Sequence, residues 1–276
     1  MRDLAGKTAV ITGGASGIGL GIARSFGSRG AKLVLADLNL NSLAVVKQEF
    51  DDQGLEVVTQ LCDVSSLDQV EELAVFAQKS FGSIDVVCSN AGVGVPTSAR
   101  DIKLDDWEWI INIDLWGPIY AVKVFLPLLE EQEWGHINAT SSMAGLISSQ
   151  MMGAYNIAKH GVVALMAATE RELRSKKTNV HASVLCPGPI NTNISQHSVA
   201  YRPGRDKPKA DLERAGKLAT NIQAMLEQGM DPDEVGELVA EAIEQDKFWI
   251  LTHPLWSKAV QNQLDALKED QSLTRA

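Results

Sequence analysis

Short β-branched runs alternate with longer helical patterns along most of the chain, and no other feature restricts the fold as strongly. Strands are expected at 7–12, 32–36, 56–61, 84–89, 136–141 and 180–185, with helices at 18–29, 41–52, 67–81, 104–130 and 153–176. Several of the strand runs are almost continuously apolar, as they are when helices cover both faces of a parallel sheet. Strict alternation of this kind points to an α/β, doubly wound parallel sheet with helices on both faces. At 276 residues, 45% hydrophobic and 22% charged, the chain has the apolar surface for a single large domain.

Charge and composition exclude several function classes. Thirty-five acidic against twenty-five basic residues give a net charge of −10, the wrong sign for a protein that binds the nucleic-acid backbone. No stretch reads as the roughly 20 apolar residues of a membrane-spanning helix, so no membrane role is expected. The longest helix-like apolar run, 161–168, is short and ends in charge. Gly6-Lys7 interrupts the N-terminal residues before any apolar leader develops. Cys62, Cys88 and Cys186 are odd in number and form no C-x-x-C pair, which fits buried reduced thiols in a cytoplasmic protein and no metal site.

The strand–helix rhythm breaks at 193–230, where Ser, Pro, Gly and charge accumulate, and a break this long is expected to be a loop or lid over a substrate. Six Lys and Arg against three acids in 201–217 fit a solvated surface, with an anionic substrate as the alternative. In the tail at 254–276, Trp256, Val260, Leu264 and Leu267 recur at helical spacing, so a helix with one apolar face is expected.

Thr12-Gly13-Gly14-Ala15-Ser16-Gly17-Ile18-Gly19 stands where the first strand turns into the first helix. Glycines there let the backbone turn sharply and approach a pyrophosphate, which rests on the free N–H groups of the helix N-terminus. Asp37 ends the second strand, eighteen residues after Gly19. A carboxylate at that point accepts from the ribose hydroxyls of NAD and repels the 2′-phosphate of NADP. The Leu38-Asn39-Leu40 that follows carries no compensating cation, so NAD is preferred over NADP.

Tyr155 and Lys159 are four residues apart and share one face of the helix expected at 153–176. A free tyrosine, with a pKa near 10, is a poor base, and a neighbouring ammonium should draw it toward the working range. Ser142 follows the strand at 136–141, at the carboxyl end where open α/β sheets bind ligands, and its hydroxyl can hold a reacting oxygen. The five histidines show no paired or metal-ligating spacing.

Taken in order, these motifs resemble the short-chain dehydrogenase/reductase family, from about residue 4 to 251. The resemblance implies a Rossmann-type sheet and a cofactor site built from Gly13, Ser16, Gly17, Ile18 and Gly19 of the loop, with Asp37 on the ribose. It places Asp63 and Val64 at the adenine, and Asn90, Ala91 and Gly92 at the end of the fourth strand. Pro187, Gly188, Ile190 and Thr192 fall beside the nicotinamide, with the Ile190 backbone and Thr192 on its carboxamide. Ser142, Tyr155 and Lys159 match the catalytic serine, tyrosine and lysine, the last two also touching the cofactor. One position departs: Asp114 stands where the family carries an asparagine that holds a helix distortion near the lysine. Asn112 lies two residues away and would face elsewhere.

The expected activity is NAD-dependent interconversion of a secondary alcohol and its ketone, with Tyr155 as acid and base. Met143, Leu146, Met151 and Met152 could line an apolar pocket. With the lid, they favour a bulky hydrophobic small-molecule substrate, cyclic, aromatic or steroid-like. A sugar or polyol is the alternative substrate. A non-catalytic NAD-binding regulator and a methyltransferase on a related sheet are the alternatives of other kinds. The resemblance also implies a homotetramer or homodimer packed through the helices at 104–130 and 153–176.

Overall fold

The computed structural model describes residues 2–96, 98–202 and 223–269. Seven parallel strands form one sheet in the order β3-β2-β1-β4-β5-β6-β7. They are β1 (Thr8–Thr12), β2 (Lys32–Asp37), β3 (Val57–Leu61), β4 (Val86–Ser89), β5 (Gly135–Thr140), β6 (Val180–Cys186) and β7 (Trp249–Leu251). The order reverses between β1 and β4, and the carboxyl ends of those neighbours open a crevice, the place where sheets of this kind bind ligands.

Helices α1 (Gly17–Ser28), α2 (Leu40–Asp52), α3 (Leu67–Phe81), α4 (Leu104–Ile111), α5 (Gly117–Glu130) and α6 (Gly153–Lys176) follow the expected alternation. A π-helical segment, Asn112–Trp116, joins α4 to α5. Beyond them lie α7 (Ile194–Tyr201), α8 (Pro232–Glu244) and α9 (Ser257–Glu269). The central strands β1, β2, β4, β5 and β6 are largely buried on both faces, the edge strands β3 and β7 only in part, and Phe26, Phe50 and Phe125 are fully enclosed. Enclosing one such ring is worth about 1.5–3 kcal/mol, so the core lies between the sheet and its two helical layers.

Two elements were not foreseen. α8 carries its own start signal, an Asp231 side chain accepting from the Asp233 N–H and Pro232 in the first turn. It crosses α1 at backbone contact: a Cβ on Gly21 would lie 2.0 Å from the Pro232 carbonyl oxygen, and one on Gly236 2.1 Å from that of Gly21. β7 is only three residues long and pairs with Val184, Leu185 and Cys186. The Ala182 N–H beyond its reach is taken by Glu170 Oε2 at 2.7 Å.

The helical stretch 104–130 corrects the expectation that no segment has the length of a membrane span. By length and composition it qualifies, with a mean hydropathy of 1.3 in its most apolar window. In the fold it packs beside the sheet, with Ile110, Ala121, Phe125 and Leu129 buried. One buried polar cluster interrupts the core, where Ser183 Oγ meets both His136 Nε2 and Asn138 Nδ2 at 2.8 Å. All three cysteines are free and buried.

Candidate active site

The loop after β1 is shaped for close approach. Gly13 and Gly17 have φ of +63° and +51°, the left-handed region that side chains disfavour. A Cβ on Gly19 would lie 2.1 Å from the Gly13 carbonyl oxygen, so no other residue fits that position. Ser16 precedes α1 without capping it by its side chain, and the first turn holds no acid. The N–H groups there are left to an anion. A phosphate-bearing dinucleotide therefore fits the residues present.

Asp37 ends β2 at the rim of a cleft of about 420 Å³. Its Oδ2 accepts from the Ala15 N–H at 3.2 Å and its Oδ1 from the Asn39 N–H at 3.0 Å, which fixes the carboxylate against the glycine loop. Asp63 is fixed in the same way by Ser65, whose N–H and hydroxyl donate to Oδ1 at 2.9 and 2.7 Å. Asn90 ties three strands together: its Nδ2 donates to the Thr12 carbonyl at 3.1 Å, and its Oδ1 accepts from the Thr140 hydroxyl at 3.0 Å. Thr12 Oγ1 accepts the N–H of both Asn90 and Ala91.

Ser142, Tyr155 and Lys159 come together as their spacing implies. Ser142 caps a short turn at 143–145 by accepting from the Ala144 N–H at 3.1 Å, and its hydroxyl acts to lower the Tyr155 phenol. Met151, with φ of +62°, turns the chain into α6, and Asn156 Nδ2 secures that turn on the Ser149 carbonyl at 2.7 Å. Lys159 is 3% exposed. Its Nζ stands 5.4 Å from the Tyr155 ring centroid, 3.2 Å from the Thr140 carbonyl and 3.3 Å from Asp114 Oδ2.

Asp114 lies in the π-helical segment, fully buried, so the distortion implied at this position is present. Its Oδ1 accepts from the Val93 N–H at 2.8 Å. Pro118 has no N–H to offer the Asp114 carbonyl four residues back, which opens the helix at this point. Burial pushes the Asp114 carboxyl up, opposed by Lys159 and the Val93 N–H. Burial acts against the Lys159 ammonium, but Asp114 and then Tyr155 outweigh it and the lysine titrates above its ordinary value. Tyr155 departs from expectation. Burial of the phenol outweighs the pull of Lys159, Asp114 adds to the rise, and the net direction is upward.

The cleft is lined by Gly13, Ser16, Gly17 and Ile18 of the loop, by Asp37, Asp63 and Val64, and by Asn90, Ala91 and Gly92. Tyr155, Lys159, Pro187 and Thr192 complete it on the far side. Gly19, Ser142, Gly188 and Ile190 are not among the lining residues. Gly188 donates its N–H to Thr252 Oγ1 at 3.0 Å, and the Ile190 side chain packs into the core and bridges to Met230. Met143 belongs to the core, and Leu146 packs against the same cluster of buried residues. The apolar wall is instead Val93, Trp109, Ile113 and, from α7, Ile194, His197 and Tyr201. Nothing local marked these residues, since α4 and α7 lie far apart in sequence. Of the expected lid, α7 is described and 203–222 lies outside the described residues, as does 270–276 of the tail.

A family profile described as short chain dehydrogenase matches residues 7–202. The chain belongs to the short-chain dehydrogenase family. Among its relatives, a "CLA biosynthesis dehydrogenase/reductase" of Lactiplantibacillus plantarum is 30% identical over 275 residues, covering 98% of this chain and 96% of that protein. A "D-beta-hydroxybutyrate dehydrogenase" of Cupriavidus necator is 32% identical over 235 residues, 85% of this chain and 90% of that one. A short chain dehydrogenase/reductase from Burkholderia phymatum, solved in complex with NAD, superposes with a TM-score of 0.95 at 34% identity, over 100% of this chain and 99% of the other. The family is one of oxidoreductases, and this member carries its seven-stranded parallel sheet flanked by helices.

Proposed function

We propose that this chain is an NAD-dependent dehydrogenase of secondary alcohols, running in reverse as a ketoreductase. The observation that carries the reading is that Tyr155 and Lys159 line the cleft that the glycine loop opens, with Ser142 beside them just past the carboxyl end of β5. Gly13, Ser16, Gly17, Ile18 and Gly19 would hold the pyrophosphate, Asp37 the adenosine ribose, and Asp63 and Val64 the adenine. Asn90, Ala91 and Gly92 would back the nicotinamide ribose together with Tyr155 and Lys159. Pro187, Gly188, the Ile190 backbone and Thr192 would hold the nicotinamide. When bound, NAD supplies the hydride acceptor and, in its oxidised form, positive charge.

Tyr155 takes the proton of the substrate hydroxyl as the carbinol C–H bond gives up its hydride, and returns it in the reduction direction. Ser142 donates its hydroxyl hydrogen to the oxygen that becomes the carbonyl. Lys159 offsets the cost of a buried phenolate, and Asp114 keeps the lysine charged. NAD is preferred over NADP because Asp37 meets the 2′ position with no cation in the three residues that follow.

The wall of Val93, Trp109, Ile194 and Tyr201 suits a bulky hydrophobic alcohol, cyclic or aromatic, better than a sugar. Leu104, Trp116 and Ile157 are apolar and exposed on α4, the π segment and α6, which supports a homodimer or homotetramer packed through these helices. Three free buried thiols fit a cytoplasmic setting. The test is a panel of cyclic, aromatic and polyol secondary alcohols with NAD, read at the NADH absorbance. Turnover confined to polyols would overturn the substrate class, and NADH binding with no turnover of any alcohol or ketone would overturn the activity.

A further inference from the structure

α7 is fastened at two points to parts of the chain far from it in sequence. Near its centre, Ser198 is 1% exposed and its Oγ accepts from the Gly94 N–H at 2.8 Å. Gly94 itself lies against the Tyr155 ring, where a Cβ would stand 3.7 Å from a ring carbon. Just past its end, the Arg202 guanidinium forms a two-pronged ion pair with both carboxylate oxygens of Asp106 on α4, ninety-six positions away. Asp106 is 2% exposed, so the pair lies inside the protein. A forked guanidinium–carboxylate pair fixes orientation as well as distance.

These two fastenings frame the apolar wall. Trp109 lies one turn beyond Asp106 on α4, while His197 and Tyr201 flank Ser198 on α7. All three aromatic side chains line the cleft shared with Tyr155. The His197 and Tyr201 rings meet edge to face, with centroids 6.4 Å apart. An eight-residue helix with a single buried serine has little of its own to hold it in place. Its position over the reacting groups therefore depends on what clasps its ends.

Resting on the dehydrogenase reading above, we propose that Arg202 and Asp106 are positioning residues. Their buried ion pair clasps α7 to α4 and so builds the substrate end of the site, without touching the reacting atoms. When the clasp is broken, α7 is in place for only a fraction of the time, and apparent substrate affinity falls by that fraction. Substrate that does bind selects the closed arrangement, so the chemical step is largely retained.

The test compares wild type with Arg202→Met, Asp106→Asn and the double variant. The double variant removes both charges of the pair, so it stays informative if a single variant folds poorly. KM for a secondary alcohol should rise by about tenfold or more, as it does when the competent state drops to a tenth. kcat and NADH affinity, the latter read by tryptophan fluorescence, should stay within about threefold. The double variant should be no worse than the worse single one, because both break one clasp. Hydrogen exchange over 194–202 should quicken in each variant, and this readout does not depend on turnover. Unchanged exchange, or unchanged KM in an enzyme that oxidises alcohols, overturns the clasp. NADH affinity falling in step with KM overturns its assignment to the substrate end. Quickened exchange in a protein that turns over no alcohol keeps the clasp and rejects the dehydrogenase reading.

Discussion

Replacing Asp114 by asparagine removes one charge from the centre of the site and almost nothing else. The Asn side chain has nearly the same volume and can still accept from the Val93 N–H, now 2.8 Å from Oδ1. What it loses is the attraction to Lys159 Nζ at 3.3 Å. At an effective dielectric of ~20, that attraction is about 5 kcal/mol, partly offset because a neutral amide is cheaper to bury than a carboxylate. Lys159 keeps the Thr140 carbonyl at 3.2 Å, so the net loss of stability should be about 3 kcal/mol, the low end for breaking a buried pair. The kinetic effect is smaller, because Asp114 acts in two opposed ways. It raises the Tyr155 phenol, which hinders the base, and it raises Lys159, which preserves the charge that the base needs. Turnover at the pH optimum should therefore stay within about tenfold, or 1.4 kcal/mol in the barrier. The pH profile of kcat/KM for alcohol oxidation separates the two effects. Without Asp114 the tyrosine loses its proton at lower pH and the lysine loses its charge at lower pH, so both limbs should move down together. Profiles that superimpose, or limbs that move up, would refute this coupling. Turnover that appears only in the asparagine variant, from a wild type that binds NADH, would show the aspartate to be disabling.

Three further outcomes are expected. NAD should be favoured over NADP by more than about tenfold in kcat/KM, or 1.4 kcal/mol, and Asp37→Ala should narrow the gap by weakening NAD; equal use of both cofactors by the wild type would contradict it. His136 is held down to about 3 by burial, against 6.5 when free, so the unfolded chain takes up its proton first as pH falls below 6.5. Stability is therefore lost with falling pH, by about 2 kcal/mol from this group between pH 6.5 and 5, and the stability measured by urea unfolding should fall by that much less over the same range in His136→Gln. Light scattering at micromolar concentration should report a dimer or tetramer, and a monomer would contradict packing through α4, α5 and α6.

Much of the fold was legible because its signals are local. The glycine loop, the alternating strands and the four-residue spacing of Tyr155 and Lys159 each lie within a short window, and each is found where that window puts it. α8 was legible in principle, from Asp231 and Pro232 at its start, whereas three-residue β7 is too short for any periodicity to emerge. The π segment was legible only through the resemblance, which implies a distortion at Asp114; the local pattern hides it, because Asn112–Trp116 continues the helical apolar run on either side. The methionines around Ser142 misled because their neighbours in sequence are catalytic candidates, while the turn after β5 sends Met143 into the core. The true apolar wall joins α4 to α7, and the pairing of Arg202 with Asp106 leaves no trace in either stretch of sequence.

The most direct test of the account is the Tyr155→Phe variant, assayed for alcohol oxidation with NAD and for NADH binding side by side. The phenylalanine keeps the ring that packs beside Gly94 and removes only the hydroxyl that exchanges the proton. General acid–base transfer contributes about 10²–10⁴ in rate, and here it also carries the contact with Ser142, so kcat should fall by at least about 10³ while NADH affinity stays unchanged. A variant that retains most of its turnover would contradict the assignment of Tyr155 as the acid and base.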